Sequence, residues 1–401
     1  MKRDDSATEH TESTERELVS SVSVLSVRSV ALFLIALLVR IPGSARSLWY
    51  DELFTLRHFA DSPAHALLEQ KHANNHPLAS LLAFFARQAS EDPRVLRLPF
   101  VILASLGVVA TARLGRTRGA ALAAALLAVF HPSAVAYAQE VRGYAPLLLL
   151  APLVTVLALD GRRPWLLGLA VALGLLAHAT LGALVVALGL LALRERAWET
   201  LKGLTAGAAV GLSLGAPTLP ARFVAHGPSG PEGIADVALL LGTNDARLLH
   251  PAFAAPLLVL ALLGATRARR LALVTGGTAL LLALPLLRAP FYARFTLVLL
   301  PLIIGLAGEG AARLLEGRRA LLLAAPVALL LAIATVARAG WETEPIGPAL
   351  ASVPGGRFEF TGLGSELMTS DPHPTHRVEL FTREPTPFQG LYANVRVVPG
   401  N

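Results

Sequence analysis

Apolar runs close to the length of a bilayer span recur along most of this chain, and short arginine-rich clusters break them. A helix needs about 20 mainly apolar residues to cross the hydrocarbon core. Helices and closed barrels alone satisfy their backbone groups there. The runs predict spans at roughly 22–42, 96–113, 119–134, 144–160, 164–179, 181–193, 203–219, 249–265, 271–287, 295–313 and 320–338. Charged residues are only 16% of the 401 positions, against about 25% in a soluble protein. That is too little polar surface to clothe a soluble core. The expected fold is an all-α integral membrane protein of about eleven transmembrane helices.

The net charge of +7 reflects topology rather than nucleic-acid binding. One alternate set of loops is short and basic: Arg113, Arg116 and Arg118; Arg162 and Arg163; Arg194, Arg196 and Lys202; Arg267, Arg269 and Arg270; Arg313, Arg318 and Arg319. Such loops stay in the cytoplasm, which puts the N-terminus inside and the C-terminus outside. Residues 1–20 hold six acidic and three basic side chains and read as a disordered cytoplasmic tail. A cleaved signal over 1–45 is disfavoured by that acidic start. The polytopic domain runs over 21–338. Residues 339–401 differ in kind: Gly, Pro and short alternating stretches, Arg357–Phe360 and Arg377–Phe381, predict strands in a small extracytoplasmic segment.

Several chemistries are excluded. There is no cysteine, hence no disulfide, thiolate metal site or Cys nucleophile. No GxxxxGK loop occurs, which argues against a nucleotide-driven pump. A zinc site from His72, His76 and His131 is the weaker reading, since no HxxxH pair lies on a clearly helical face beside a carboxylate.

Polar residues concentrate in the other, outer set of loops. The first, 43–95, is long and contains Trp49-Tyr50-Asp51-Glu52-Leu53-Phe54-Thr55 and Asn75-His76-Pro77-Leu78. Within it, Pro77–Ala89 is apolar but too short to span. It is expected to lie along the interface with Phe84 and Phe85 toward lipid. Adjacent Asp51 and Glu52 point in different directions on a helix or a strand. One suits a general base, while the other pairs with an Arg or His. An ion pair holding the loop down is the plainer alternative. The second outer loop carries His131 and Gln139-Glu140-Val141-Arg142-Gly143-Tyr144. Glu140 and Arg142 are either a local ion pair or functional groups at the membrane. The third has His178 and Thr180, with His178 reading more readily as a core residue than as a ligand. The fourth, 220–248, carries Asp236, Asn244 and Asp245, and the fifth Arg288, Tyr292 and Arg294. Positive-inside bias does not explain Arg142 and Arg294. Their planar, bidentate guanidinium groups suit phosphate, although a lipid headgroup contact would also account for them.

These motifs, with Arg97-Leu98-Pro99 ahead of the second span and Tyr292-Ala293-Arg294 ahead of Leu300-Pro301, stand in an order that resembles the GT-C superfamily of membrane glycosyltransferases. The nearest likeness is to bacterial family 39-like enzymes related to protein O-mannosyltransferases and the lipid A aminoarabinose transferase, over about 40–340. Leu78 stands where many relatives have a second proline. The resemblance implies a multi-pass protein of the bacterial inner membrane that takes a sugar from a polyprenyl-phosphate donor at the outer leaflet. It implies catalysis by Asp51 with Glu52, Asp51 being the general base. Arg294, Arg142 and Tyr292 would hold the donor phosphate, and His76, Glu140, Tyr144, Arg97, His131 and His178 would shape the site. The partners implied are the donor, an unidentified acceptor and membrane lipids, with no nucleic acid. No cofactor is required, although a divalent metal is compatible with the chemistry. A transporter or lipid flippase, and a non-catalytic scaffold of the same fold, are the rival functions.

Overall fold

The computed structural model describes residues 27–46, 48, 50–69, 75–215, 251–286, 293–315, 317–339, 358–362, 376–381 and 394–399. The first helix, α1, covers 27–40 and runs into a 3-10 turn at Pro42–Ala45. Three short helices follow: α2 (Tyr50–His58), α3 (Pro63–Leu68) and α4 (Pro77–Ala89). Then come α5 (Pro93–Ala112), α6 (Arg118–Phe130), α7 (Pro132–Ala136) with a 3-10 turn at Tyr137–Gln139, α8 (Tyr144–Asp160), α9 (Pro164–Ala177), α10 (Leu181–Glu195) and α11 (Trp198–Gly215). Further on are α12 (Pro251–Ala265), α13 (Arg269–Leu286), a 3-10 stretch Ala293–Leu299 leading into α14 (Leu300–Leu314), and α15 (Ala320–Ala339).

Local signals set the starts of these helices. Proline occupies the first turn of α3, α4, α5, α7, α9 and α14, where its missing N–H costs nothing. Ser62, Asp92 and Thr117 cap α3, α5 and α6 by accepting from the backbone N–H groups of His65, Arg94 and Ala120. Gly161, at φ 70°, ends α8 in the left-handed conformation that glycine adopts without strain.

Successive long helices run in opposite directions, so their connections fall at two ends of the bundle. The basic connections meet at one end. There Arg116 donates to the Arg267 carbonyl, Arg267 to that of Ala312, Arg313 to that of Leu263, and Arg270 to Glu195. Small residues let helices approach closely in lipid. Accordingly Gly168 faces Gly203 and Gly207 between α9 and α11, and Gly264 faces Gly310 between α12 and α14.

Among the described residues, Val27–Ala45, Pro93–Ala112 and Arg294–Leu314 are long and apolar enough to cross a membrane. The helix Arg118–Phe130 with the segment Pro132–Gln139 makes a fourth if that pair, bent by 62°, is counted as one. Tyr144–Asp160, Pro164–Ala177, Ala255–Ala265 and Ala320–Ile333 are shorter apolar helices. Among the described residues, length and composition alone therefore do not establish the count of eleven spans. One cause is local: the apolar run 119–134 hides a break at His131, and α7 turns off at Pro132.

The short helix expected over Pro77–Ala89 is α4, with the same bounds. It buries Ala79, Ser80, Ala83 and Ala86, while Phe85 is exposed and Phe84 half-buried against the core. In the C-terminal segment, β1 (Phe358–Gly362), β2 (His376–Phe381) and β3 (Asn394–Pro399) form one sheet in that order. β1 is parallel to β2, with Phe358 opposite His376, and β2 is antiparallel to β3, with His376 opposite Pro399.

Candidate active site

Asp51 and Glu52 open α2 in its first turn. Being neighbours on a helix they diverge, and each meets its own arginine. Glu52, fully buried, binds Arg97 of α5 in a two-pronged pair, Nε to Oε1 at 2.9 Å and Nη2 to Oε2 at 2.5 Å. The same Oε1 accepts the Val141 N–H at 2.9 Å. Arg97 also donates to the Ser44 and Arg46 carbonyls. One ion pair thus ties together the turn after α1, the start of α2, α5 and the bent link before α8.

Asp51 faces the opposite way. Its Oδ2 pairs with Arg142 Nη1, and Arg294 Nη1 lies 3.6 Å from the same oxygen. Asp51 and Arg142 are buried, and Arg294 is partly buried. Two guanidinium groups from distant parts of the chain therefore converge on one carboxylate. Arg142 also lies over the Tyr144 ring, 5.6 Å from its centroid.

A set of mostly buried rings packs beside this cluster. His76, just before α4, stacks on His178 with centroids 4.9 Å apart and planes at 20°. Tyr144 stands 5.9 Å from His76, 5.1 Å from His178 and 4.9 Å from Tyr137, and Phe295 is 5.6 Å from His178. Asn75 fixes the approach to His76 by donating to the Ala66 and Glu69 carbonyls and accepting from Ser80. Gly143 is glycine because a Cβ there would overlap the Ala177 carbonyl oxygen and come 2.9 Å from the His76 ring. The Thr180 N–H points at His178 Nδ1, 3.3 Å away, so that nitrogen accepts and the neutral ring carries its proton on Nε2.

Asp51, Glu52, His76, Arg97, Arg142, Tyr144, His178 and Arg294 are thus gathered at the end of the bundle opposite the basic turns. His178 is buried, as a core histidine would be, and it stacks on His76 beside this cluster. Arg142 pairs with Asp51, a carboxylate remote in sequence. Glu140 is half-buried between the junction residues Gln139 and Val141, and His131 is buried in the bend between α6 and α7. Tyr292, Trp49, His72, Arg288 and the loop 220–248 lie outside the described residues. Among the described residues no group of three His, Asp or Glu side chains could hold a metal ion.

Sequence reasoning missed Arg40, Arg46 and Glu309. Arg40 and Arg46 flank the turn after α1, and both bond Gln139: its Nε2 donates to the Arg40 carbonyl at 2.7 Å, and Arg46 Nη2 donates to its Oε1 at 2.7 Å. An arginine ending an apolar run at the non-basic end was the available signal for Arg40.

No protein-family model matches the chain, and no curated protein does. Solved structures do. The apo crystal structure of ArnT from Cupriavidus metallidurans superposes with a TM-score of 0.58 at 16% identity, covering 88% of this chain and 84% of that one. The same protein bound to undecaprenyl phosphate gives 0.54 at 16% identity, over 87% and 84%. The chain shares its fold with ArnT. At this identity the likeness speaks for the fold; function has to be argued from the site.

Proposed function

We propose that this protein transfers a sugar from a polyprenyl-phosphate donor to an acceptor at the outer face of the membrane. The observation that carries the reading is the convergence of Arg142 and Arg294 on Asp51. Two guanidinium groups beside a hydrophobic bundle suit the phosphate of a lipid-linked donor, since each can give it two parallel hydrogen bonds. The likeness to a protein whose structure holds undecaprenyl phosphate supports the same class of ligand.

In this reading Asp51 accepts the proton of an acceptor hydroxyl or amine as that atom attacks the anomeric carbon. The bond from that carbon to the phosphate oxygen breaks, and its electron pair leaves on polyprenyl phosphate. Direct displacement inverts the anomeric centre. Arg142 and Arg294 stabilise the charge that develops on the departing phosphate. Tyr292 is a further candidate ligand of that phosphate. No separate acid is needed for so good a leaving group, and no metal is invoked. His76, Tyr144 and His178 form a ring wall suited to a sugar, with Glu140 beside it, and His131 would shape the site from the bend between α6 and α7. Glu52 is assigned to architecture rather than proton transfer, because Arg97 and the Val141 N–H engage both its oxygens.

Native mass spectrometry of the purified protein in mild detergent tests the donor assignment. Wild type is expected to retain or take up undecaprenyl phosphate, and Arg294→Ala to lose it. Failure of wild type to bind any polyprenyl phosphate sinks the assignment. Binding without sugar release from any polyprenyl-phosphate sugar, unaffected by Asp51→Asn, would favour a lipid transporter or scaffold.

A further inference from the structure

Arg40 is an unusual residue for its place. It lies 1% exposed near the end of the span Val27–Ala45, where a buried charge is costly. Among the described residues it has no carboxylate partner. The small cavity it lines is otherwise walled by apolar residues and Thr111.

Both terminal nitrogens of its guanidinium are occupied by backbone. Nη1 donates to the Ala36 carbonyl at 3.0 Å and to that of Val129 at 3.3 Å, and Nη2 donates to that of Ala128 at 3.1 Å. In a continuous helix the Ala128 carbonyl would accept from the N–H four residues on. That residue is Pro132, which has none. Arg40 supplies the missing donor from a different span. Its charge also sits between the C-terminal ends of α1 and α6, each carrying about half a negative elementary charge. Two helix ends thus take the place of an acidic counter-ion.

The bend that Arg40 holds leads straight to the site. From Pro132 the chain passes through α7 to Gln139, which the Arg40 carbonyl and Arg46 grip, then to Val141 on Glu52, and then to Arg142 on Asp51. We propose that Arg40 is a positioning residue: it stabilises the break between α6 and α7, and thereby sets Arg142 in the phosphate site. The proposal rests on the reading of Arg142 as a phosphate ligand.

The test is a double-mutant comparison. Undecaprenyl phosphate affinity would be titrated by native mass spectrometry for Arg40→Met and Arg40→Lys, each in the wild-type and Arg142→Ala backgrounds. Hydrogen–deuterium exchange across 131–143 would be followed in the same proteins. Arg40→Met is expected to weaken binding about tenfold, the scale of one lost charged contact, and to accelerate exchange within 131–143 selectively. Arg40→Lys keeps the charge and a donor and should lose only about threefold. Both losses should vanish in the Arg142→Ala background, because the route through Arg142 is already cut. Equal losses in both backgrounds, or unchanged affinity, overturn the proposal. If Arg40→Met does not fold, the Arg40→Lys comparison decides by the same criterion. If wild type binds no polyprenyl phosphate, the functional reading fails. The exchange measurement then decides Arg40 alone: acceleration confined to 131–143 supports the brace, and uniform or absent change overturns it.

Discussion

Arg294 Nη1 stands 3.6 Å from Asp51 Oδ2, the oxygen that Arg142 also binds. The group proposed as the base therefore occupies the place where the donor phosphate is proposed to sit. Phosphate and carboxylate compete for the same two guanidinium groups, so donor binding should displace Asp51 and turn it toward the acceptor. A consequence of unusual sign follows. Asp51→Asn removes the competing charge, so undecaprenyl phosphate affinity should hold or rise while turnover falls about 10²–10⁴-fold. Binding isotherms and product assays on the same preparation check both halves. Weaker lipid binding in Asp51→Asn would show that the carboxylate organises the arginines instead of competing with the phosphate.

Glu52 and Arg97 form a buried pair whose side chains are 0% and 3% exposed. Removing one partner of such a pair leaves an uncompensated charge and costs about 3–5 kcal/mol. Glu52→Leu and Arg97→Met should each lower the unfolding midpoint in detergent sharply. The double variant should lose less than the sum of the singles. Arg97→Lys should rescue poorly, because Lys lacks the planar fork that serves both Glu52 oxygens and still reaches Ser44 and Arg46. Strict additivity would mean that the pair is not the unit holding the junction.

Much of the architecture was legible in local pattern. Apolar runs gave most of the helices, Pro77 and a short apolar stretch gave α4, and alternation near 358–360 and 377–381 gave two of the three strands. The divergence of Asp51 and Glu52 followed from their adjacency, on a helix or a strand alike. Other features depend on partners remote in sequence. His178 lies at the end of an apolar run, and nothing near it shows that it will stack on His76. The break at His131 was masked by continuous apolar residues, with Pro132 its one local signal. Arg40 and Glu309 sit within or beside expected spans, where each satisfies backbone groups that a sequence does not display.

Gly143 lets α8 begin against the end of α9, beneath His76. Gly143→Ala forces its methyl group onto the Ala177 carbonyl oxygen, and overpacking of this kind costs about 1–3 kcal/mol. The strain falls between Arg142 and Tyr144, so undecaprenyl phosphate binding should weaken along with the unfolding midpoint. Lipid titration and thermal unfolding of the purified variant measure both. A variant with wild-type values for both would show that the backbone relaxes without disturbing the site.

Glu309 provides the matching control at the opposite end of the bundle. It is fully buried in α14, accepts the Arg116 N–H through Oε1, and lies 3.5 Å from Arg267 Nε through Oε2. Arg267 in turn donates to the Ala312 carbonyl, and Arg116 to that of Arg267, so the carboxylate joins two basic turns to the end of α14. Glu309→Leu strands the Arg116 N–H in a partly buried place, at a cost of about 1–3 kcal/mol. The exposed side of Arg267 keeps its charge solvated and limits the loss. Thermal stability should fall, while undecaprenyl phosphate affinity, read in the surviving folded fraction, should stay at the wild-type value. A parallel drop in affinity would mean that the two ends of the bundle are coupled, and that stability losses at Glu52, Arg97 or Gly143 cannot be read as local to the site.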